Sequence, residues 1–173
     1  MEYTLKAGAL YLHDRMLARI KNCFSGPEKR IVSADGDLLL QTEIRAGQDP
    51  RRAPGDVRQR RYSLVDAAGK EIAQAQPDYA AGDEPEAVGW PVCRTPRVDH
   101  AQVRMEGDYE LVMQNSQNYQ LQQSSGETLV RIMHRGLNGG WDIETKKAFS
   151  PAELCGIFVF CRYIEQENEF LVV

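Results

Sequence analysis

Ser150-Pro151-Ala152-Glu153-Leu154-Cys155-Gly156-Ile157-Phe158-Val159-Phe160-Cys161-Arg162-Tyr163-Ile164 is the stretch that decides how this chain folds. It opens with a capping box: a serine at the N-cap, a proline at the first helical position and a glutamate three residues after the cap. From Leu154 to Ile164 the only charge is Arg162. On a 3.6-residue period these side chains cover every face, and a helix that is apolar all round must be surrounded. A sheet on one side would leave the opposite face wet, whereas a closed β-barrel with the helix through its middle buries all of it. The run of eleven residues is far short of the roughly 20 that span a bilayer. The expectation is therefore a mainly β (α+β) domain, an antiparallel closed barrel around one central helix at about residues 150–165.

The remaining sequence supplies the strands. Ile31-Val32-Ser33-Ala34-Asp35-Gly36-Asp37-Leu38-Leu39-Leu40 places an Asp-Gly pair between two apolar runs, a strong short-range hairpin signal. Tyr62 to Ala73 and Tyr119 to Val130 repeat the arrangement around Gly69 and Gly126. Superposed on the three glycines, position −5 holds Ile31, Leu64 and Leu121, and position +3 holds Leu39, Ile72 and Leu129. Position −7 is Tyr62 and Tyr119 in the last two and Lys29 in the first, so one hairpin unit recurs in degenerate form. Val103 and Met105 alternate with polar residues before the turn at Gly107, and Tyr109, Leu111 and Met113 alternate with Glu110, Val112 and Gln114 after it. Val130 to His134 and Trp141 to Glu144 form a further hairpin across Gly136 to Gly140, where Asn138-Gly139 is a turn signal. The tail Glu169 to Val173 has strand character.

Leu10, Leu17, Ile20 and Phe24 share a helical face, which predicts a short N-terminal helix between Leu10 and Phe24. Two Pro- and Gly-bearing stretches, 46–60 and 77–96, read as long surface loops. The hairpin pattern resumes beyond each of them, so residues 1–173 read as one domain.

Composition sets the outer limits. The chain is 42% hydrophobic and 27% charged with a mean hydropathy of −0.49, which excludes disorder and favours a globular chain. A net charge of −4 and a pI near 5.4 argue against a whole-molecule polyanion binder, and no nucleic acid is expected as a partner. The opening Met1-Glu2-Tyr3 begins no secretory signal. Cys23, Cys93, Cys155 and Cys161 have no CxxC spacing and read as buried free thiols in a reducing cytoplasm.

Repeated apolar-strand, Asp/Ser-Gly, apolar-strand units closed by an all-apolar helix resemble the tubby C-terminal-like family, which includes the plant LURP-one-related proteins and the phospholipid scramblases. Ile31 to Leu40, Tyr62 to Ala73, Tyr119 to Ile132 and Ser150 to Ile164 carry that resemblance. It implies about twelve antiparallel strands around the central helix. It also implies a surface site for phosphoinositide headgroups, as in tubby, and hence a cytoplasmic protein peripheral at a membrane surface. No headgroup-contacting residue is carried over, because the shared pattern has no residue-level signature.

The densest charge cluster is Arg51, Arg52, Arg58, Arg60 and Arg61, five arginines in eleven residues. Guanidinium groups match phosphate oxygens bidentately, so this loop is the candidate site for an anionic phospholipid headgroup. The same arginines also suit a solvated loop neutralised by Asp83, Glu84 and Glu86. In a competing reading, loops 46–60 and 77–96 form a protein-partner surface around Trp90. His13, His100 and His134 are scattered, so neither a metal nor another cofactor is expected. Asp142 and Glu144 share one strand face as alternating polar residues do. Cys93 beside Arg94 has no base near it except distant His100. With no nucleophile, metal set or acid–base pair assembled, the sequence reads as non-enzymatic.

Overall fold

The capping box forms as written. Ser150 N donates to Glu153 Oε2 at 2.7 Å, and Glu153 N donates to Ser150 Oγ at 3.2 Å. In the computed structural model, which describes residues 1–88 and 96–169, the helix that starts here is α2, Pro151–Glu169. Around it stand twelve strands: β1 Glu2–Lys6, β2 Ala9–Leu12, β3 Arg15–Asn22, β4 Lys29–Ser33, β5 Leu38–Ala46, β6 Arg60–Asp66, β7 Glu71–Tyr79, β8 Val98–Arg104, β9 Asp108–Asn115, β10 Asn118–Gln123, β11 Thr128–His134 and β12 Trp141–Thr145. A four-residue helix, α1 Pro85–Val88, lies between β7 and β8.

Every neighbouring pair is antiparallel, and β1 closes the ring by pairing with both β2 and β12 (Leu5↔Leu10, Tyr3↔Ile143). Closure removes the sheet edges that would otherwise seek a partner. Leu5, Leu10, Ile31, Leu64, Leu111, Leu121, Ile132 and Ile143 point inward and are fully buried. They meet Leu154 to Cys161, which is buried on all sides of the helix. The all-round apolar helix is thus explained by an all-round wall.

The three superposed hairpins are the same structure. Gly36, Gly69 and Gly126 take φ of +98°, +81° and +84°, the region glycine enters without penalty. Each glycine N donates to the carbonyl three residues back, and that residue's N donates to the carbonyl just after the glycine: Ser33 to Asp37, Asp66 to Lys70, Gln123 to Glu127. The register slips by one residue at the same place in all three, after Ile31, Leu64 and Leu121. This bulge adds local twist and aims position −5 at the helix.

Three expectations need correction. Residues 10–24 are not helical: 10–22 form the end of β2 and all of β3, joined by the His13-Asp14 turn in which His13 takes φ +54°, and Cys23 and Phe24 begin the β3–β4 connection. Closing the wall between β1 and β4 requires two more strands, and that pairing overrides a weak helical period. The stretch 77–96 does not begin as a loop, since Pro77 lies within β7 opposite Ala101 of β8. The β6 pairing stops at Ala75, so Pro77 sits where β7 is bonded on one side alone and its missing N–H costs nothing. The helix continues to Glu169 rather than ending near 165. Of the tail read as a strand over 169–173, Glu169 ends α2 instead, and 170–173 lie outside the described residues.

Polar tips seal the helix inside. Tyr163 OH meets Thr42 Oγ1 at 2.6 Å and donates to Pro27 O at 3.0 Å. Asn168 accepts from Val98 N and donates to Val98 O, standing in for a strand neighbour at the start of β8.

Candidate functional site

The connection between β5 and β6 is built as an ordered loop. Gly47 N donates to Gln59 O at 2.6 Å and closes its base. Inside it, Gln59 Oε1 accepts from Asp49 N and Gln59 Nε2 donates to Ala53 O. Asp56, which is buried, caps a single 3-10 turn (Val57–Gln59) by accepting from Arg58 N. Val57 buries its side chain, and its N donates to the Tyr79 hydroxyl on β7 at 3.2 Å.

All five predicted arginines are committed to carboxylates. Arg51 chelates Asp49 and remains 87% exposed. Arg52 lies 3.7 Å from Asp56 and 4.0 Å from Asp49. Arg58 grips Asp56 with Nε and Nη2, reaches Glu86 Oε1 at 2.7 Å and stacks over the Tyr79 ring. Its hydrogen bonds hold the Asp56 carboxyl below the usual carboxylate range against the opposing effect of burial. Arg60 pairs with the nearly buried Glu167 of α2, whose other oxygen accepts from Tyr62 OH at 2.6 Å. Burial, followed by the Glu167 charge, pushes the Tyr62 phenol above its normal range, so it stays a neutral donor. Arg61 lies 3.7 Å from Glu71. Of the acidic stretch expected to neutralise the loop, Glu86 does so through Arg58; the other partners are Asp49, Asp56, Glu71 and Glu167.

The arginines nevertheless converge on one feature. A groove of about 900 Å³ runs across the outer face of β5 to β8 and is lined by Arg45, Arg52, Arg58, Arg60, Arg61 and Arg104, with Gln48, Gln59, Gln74, Gln76 and Gln102 between them. Arg51 is not part of its lining. The register explains the convergence: Arg45 faces Arg61 across β5 and β6, Gln74 faces Arg104, and Gln76 faces Gln102 across β7 and β8. Arg45, Arg61 and Arg104 are 57%, 46% and 72% exposed, and they pair with the half-buried Glu43 and with the exposed Glu71 and Asp108. Such pairs are worth little and exchange readily. Arg45, Arg104 and the three strand glutamines are the residues that sequence reasoning missed. Gln74/Gln76 and Gln102/Arg104 at i, i+2 were visible as outward positions, but nothing local says that these strands are neighbours.

The other candidate chemistry is not assembled. His134 lies against Trp141 and accepts from Gly136 N, while Asp142 pairs with Arg135 and Glu144 with Arg131. Burial raises the Cys155 thiol to about 12 and pushes Cys161 up as well. Cys23 is half-buried rather than buried, and Cys93, Arg94 and Trp90 lie outside the described residues. Among the described residues no group of three His, Cys, Asp or Glu side chains is placed to hold a metal, and no helix is long and apolar enough to cross a membrane. No protein-family model, no curated protein and no solved structure matches this chain.

Proposed function

We propose that the protein is a non-catalytic binding domain whose groove across β5 to β8 takes a multiply anionic ligand, with a phosphorylated lipid headgroup as the first candidate. The observation that carries this reading is the convergence of six arginines from the strands and the β5–β6 loop on one groove. Arg52, Arg58 and Arg60 have nearly buried carboxylates beside them and shape the groove wall. Arg45, Arg61 and Arg104 have weak, half-buried or exposed partners, so a phosphate can take over their guanidinium N–H groups at little cost. The glutamines add neutral donors and acceptors suited to hydroxyl groups on the same ligand. The ligand class agrees with what the resemblance to the tubby C-terminal-like family implies, and the binding residues move from the loop to the strands.

Cosedimentation with phosphoinositide-bearing liposomes, run beside calorimetry with soluble inositol phosphates, tests the proposal and separates lipid-borne from free phosphate. Changing Arg45, Arg61 and Arg104 together to Ala is expected to abolish binding, and Arg51→Ala to leave it intact. Wild-type affinity should fall steeply with salt. No binding of either probe at low salt, or equal loss in both variants, would refute the groove.

A second reading draws on the contacts that join the two long loops. Arg58–Glu86 ties the 46–60 loop to the β7–β8 connection, Val57–Tyr79 ties it to the end of β7, and together they make one continuous surface for a protein partner. That surface would tolerate moderate salt and depend on Trp90.

A further inference from the structure

Phe24 and Leu137 are the most exposed large apolar side chains among the described residues, each at 108% of the reference accessibility. Phe24 lies in the β3–β4 connection and Leu137 in the β11–β12 connection. In an antiparallel ring, successive connections alternate between the two rims, so both sit on the rim where α2 ends. Along the order β11, β12, β1, β2, β3, β4, the one connection between them on that rim is the Ala7-Gly8 turn. The Ala7-Gly8 turn is tied to β3, and the end of the β11–β12 connection lies against β1. Ile20 N donates to Gly8 O at 2.7 Å, and a Cβ at Gly140 would collide with the Leu5 carbonyl. The two apolar tips therefore flank the Ala7-Gly8 turn on one arc of the rim.

Charge on this arc differs from charge at the groove. Lys6, Lys21, Lys29 and Arg30 end or begin the strands here, and none has a carboxylate within 4.0 Å among the described residues. Lys21 and Arg30 stand directly opposite each other across β3 and β4, an arrangement that costs stability unless an anion lies over it. Lys29 Nζ donates to the neutral Asn22 Oδ1. The β3–β4 connection holds one carboxylate, the half-buried Glu28, and Arg135 beside Leu137 is neutralised by Asp142.

We infer that this rim docks on an anionic phospholipid bilayer, with Phe24 and Leu137 entering the interfacial layer while Lys6, Lys21, Lys29 and Arg30 meet the headgroups. Two separate apolar tips on polar turns suit a fluid interface, whereas a protein partner asks for a contiguous apolar patch ringed by polar residues. Uncompensated cations beside the tips complement an anionic leaflet, each contributing roughly a fivefold gain in partitioning. The inference is independent of the groove, since no residue of the arc lines it.

The test uses vesicles of phosphatidylcholine with and without phosphatidylserine, free of phosphoinositides. Wild type is expected to pellet with the phosphatidylserine vesicles and stay in solution with the neutral ones. Phe24→Ser with Leu137→Ser should keep the wild-type melting temperature and lose about tenfold in partitioning. Lys21→Gln with Arg30→Gln should lose roughly 25-fold. Phe24→Trp should show quenching by brominated acyl chains. The Arg45, Arg61 and Arg104 triple alanine variant should still pellet. Unchanged pelleting of the double serine variant, no quenching at position 24, or no pelleting of wild type would overturn the inference. A concentration-dependent dimer dispersed by Phe24→Ser would also overturn it and assign the rim to self-association.

Discussion

Gly156→Ala will destabilise the protein although alanine is the better helix former. Gly156 lies in the second turn of α2, where a Cβ would fall 2.9 Å from Leu64 Cδ2 and 3.1 Å from Leu64 Cγ, and closer still to Cδ1. Ordinary carbon contacts are about 3.5–4.0 Å. Leu64 is fully buried at position −5 of the second repeated hairpin, so it yields only by displacing other core side chains or by shifting the helix. Overpacking of this kind costs about 1–3 kcal/mol, and an approach this close belongs at the upper end. The helical preference for alanine over glycine returns about 1 kcal/mol, leaving a net loss of about 2 kcal/mol. For a chain of this length that is a drop of about 4–8 °C in melting temperature. Urea denaturation of Gly156→Ala, Leu64→Ala and the double variant checks the mechanism. Leu64→Ala alone should cost about 2–5 kcal/mol, and the double variant should be about 1–2 kcal/mol less destabilised than the sum, because each change relieves the other. A Gly156→Ala variant more stable than wild type, or strictly additive losses, would show that α2 does not lie against β6.

Ile157→Asp places an unpaired charge within the wall, at a cost of several kcal/mol against a total of roughly 5–15, and is expected to yield an unfolded chain by circular dichroism. Because Arg58 keeps the Asp56 carboxyl below its ordinary range, the β5–β6 loop is stabilised above the unfolded carboxylate pKa of about 4, and this stabilisation is lost as acid protonates Asp56 in the fold. Hydrogen exchange of Val57 and Arg58 should accelerate below about pH 4 in wild type, and already at neutral pH in Asp56→Asn. Cys155 and Cys161, buried and with raised thiol pKa values, should resist maleimide at neutral pH and react after denaturation, with mass spectrometry mapping the sites; modification in the native state would contradict the enclosed helix.

How much of this was legible in the sequence depends on how local each signal is. The start of α2 is written in Ser150 and Glu153, three residues apart, and its enclosure in the lack of any polar face. The repeated hairpins are legible for the same reason, since Gly36, Gly69 and Gly126 each mark a turn that spans five residues. The β2–β3 hairpin had no such mark, because its turn uses His13 and Asp14 in place of glycine. Pro77 read as a loop because its place at a one-sided stretch of β7 is set by where β6 stops pairing. At the site, the loop arginines were conspicuous as a run, but their neutralisation depends on distant partners such as Glu167, 107 residues from Arg60. The groove itself needs the register of four strands, and no local pattern states register.

Because α2 follows all twelve strands in the chain, it leaves the ribosome after every one of them. Until it does, the inward rows of leucine, isoleucine and tyrosine have nothing to close upon, and β1 waits for β12, whose partner positions lie about 140 residues downstream. Pairings of such long sequence separation form late. The nascent chain therefore carries an unfilled sheet with open edges through most of its synthesis, a state prone to self-association unless a chaperone shields it. Production of this protein should consequently be limited by events during translation rather than by the stability of the finished barrel.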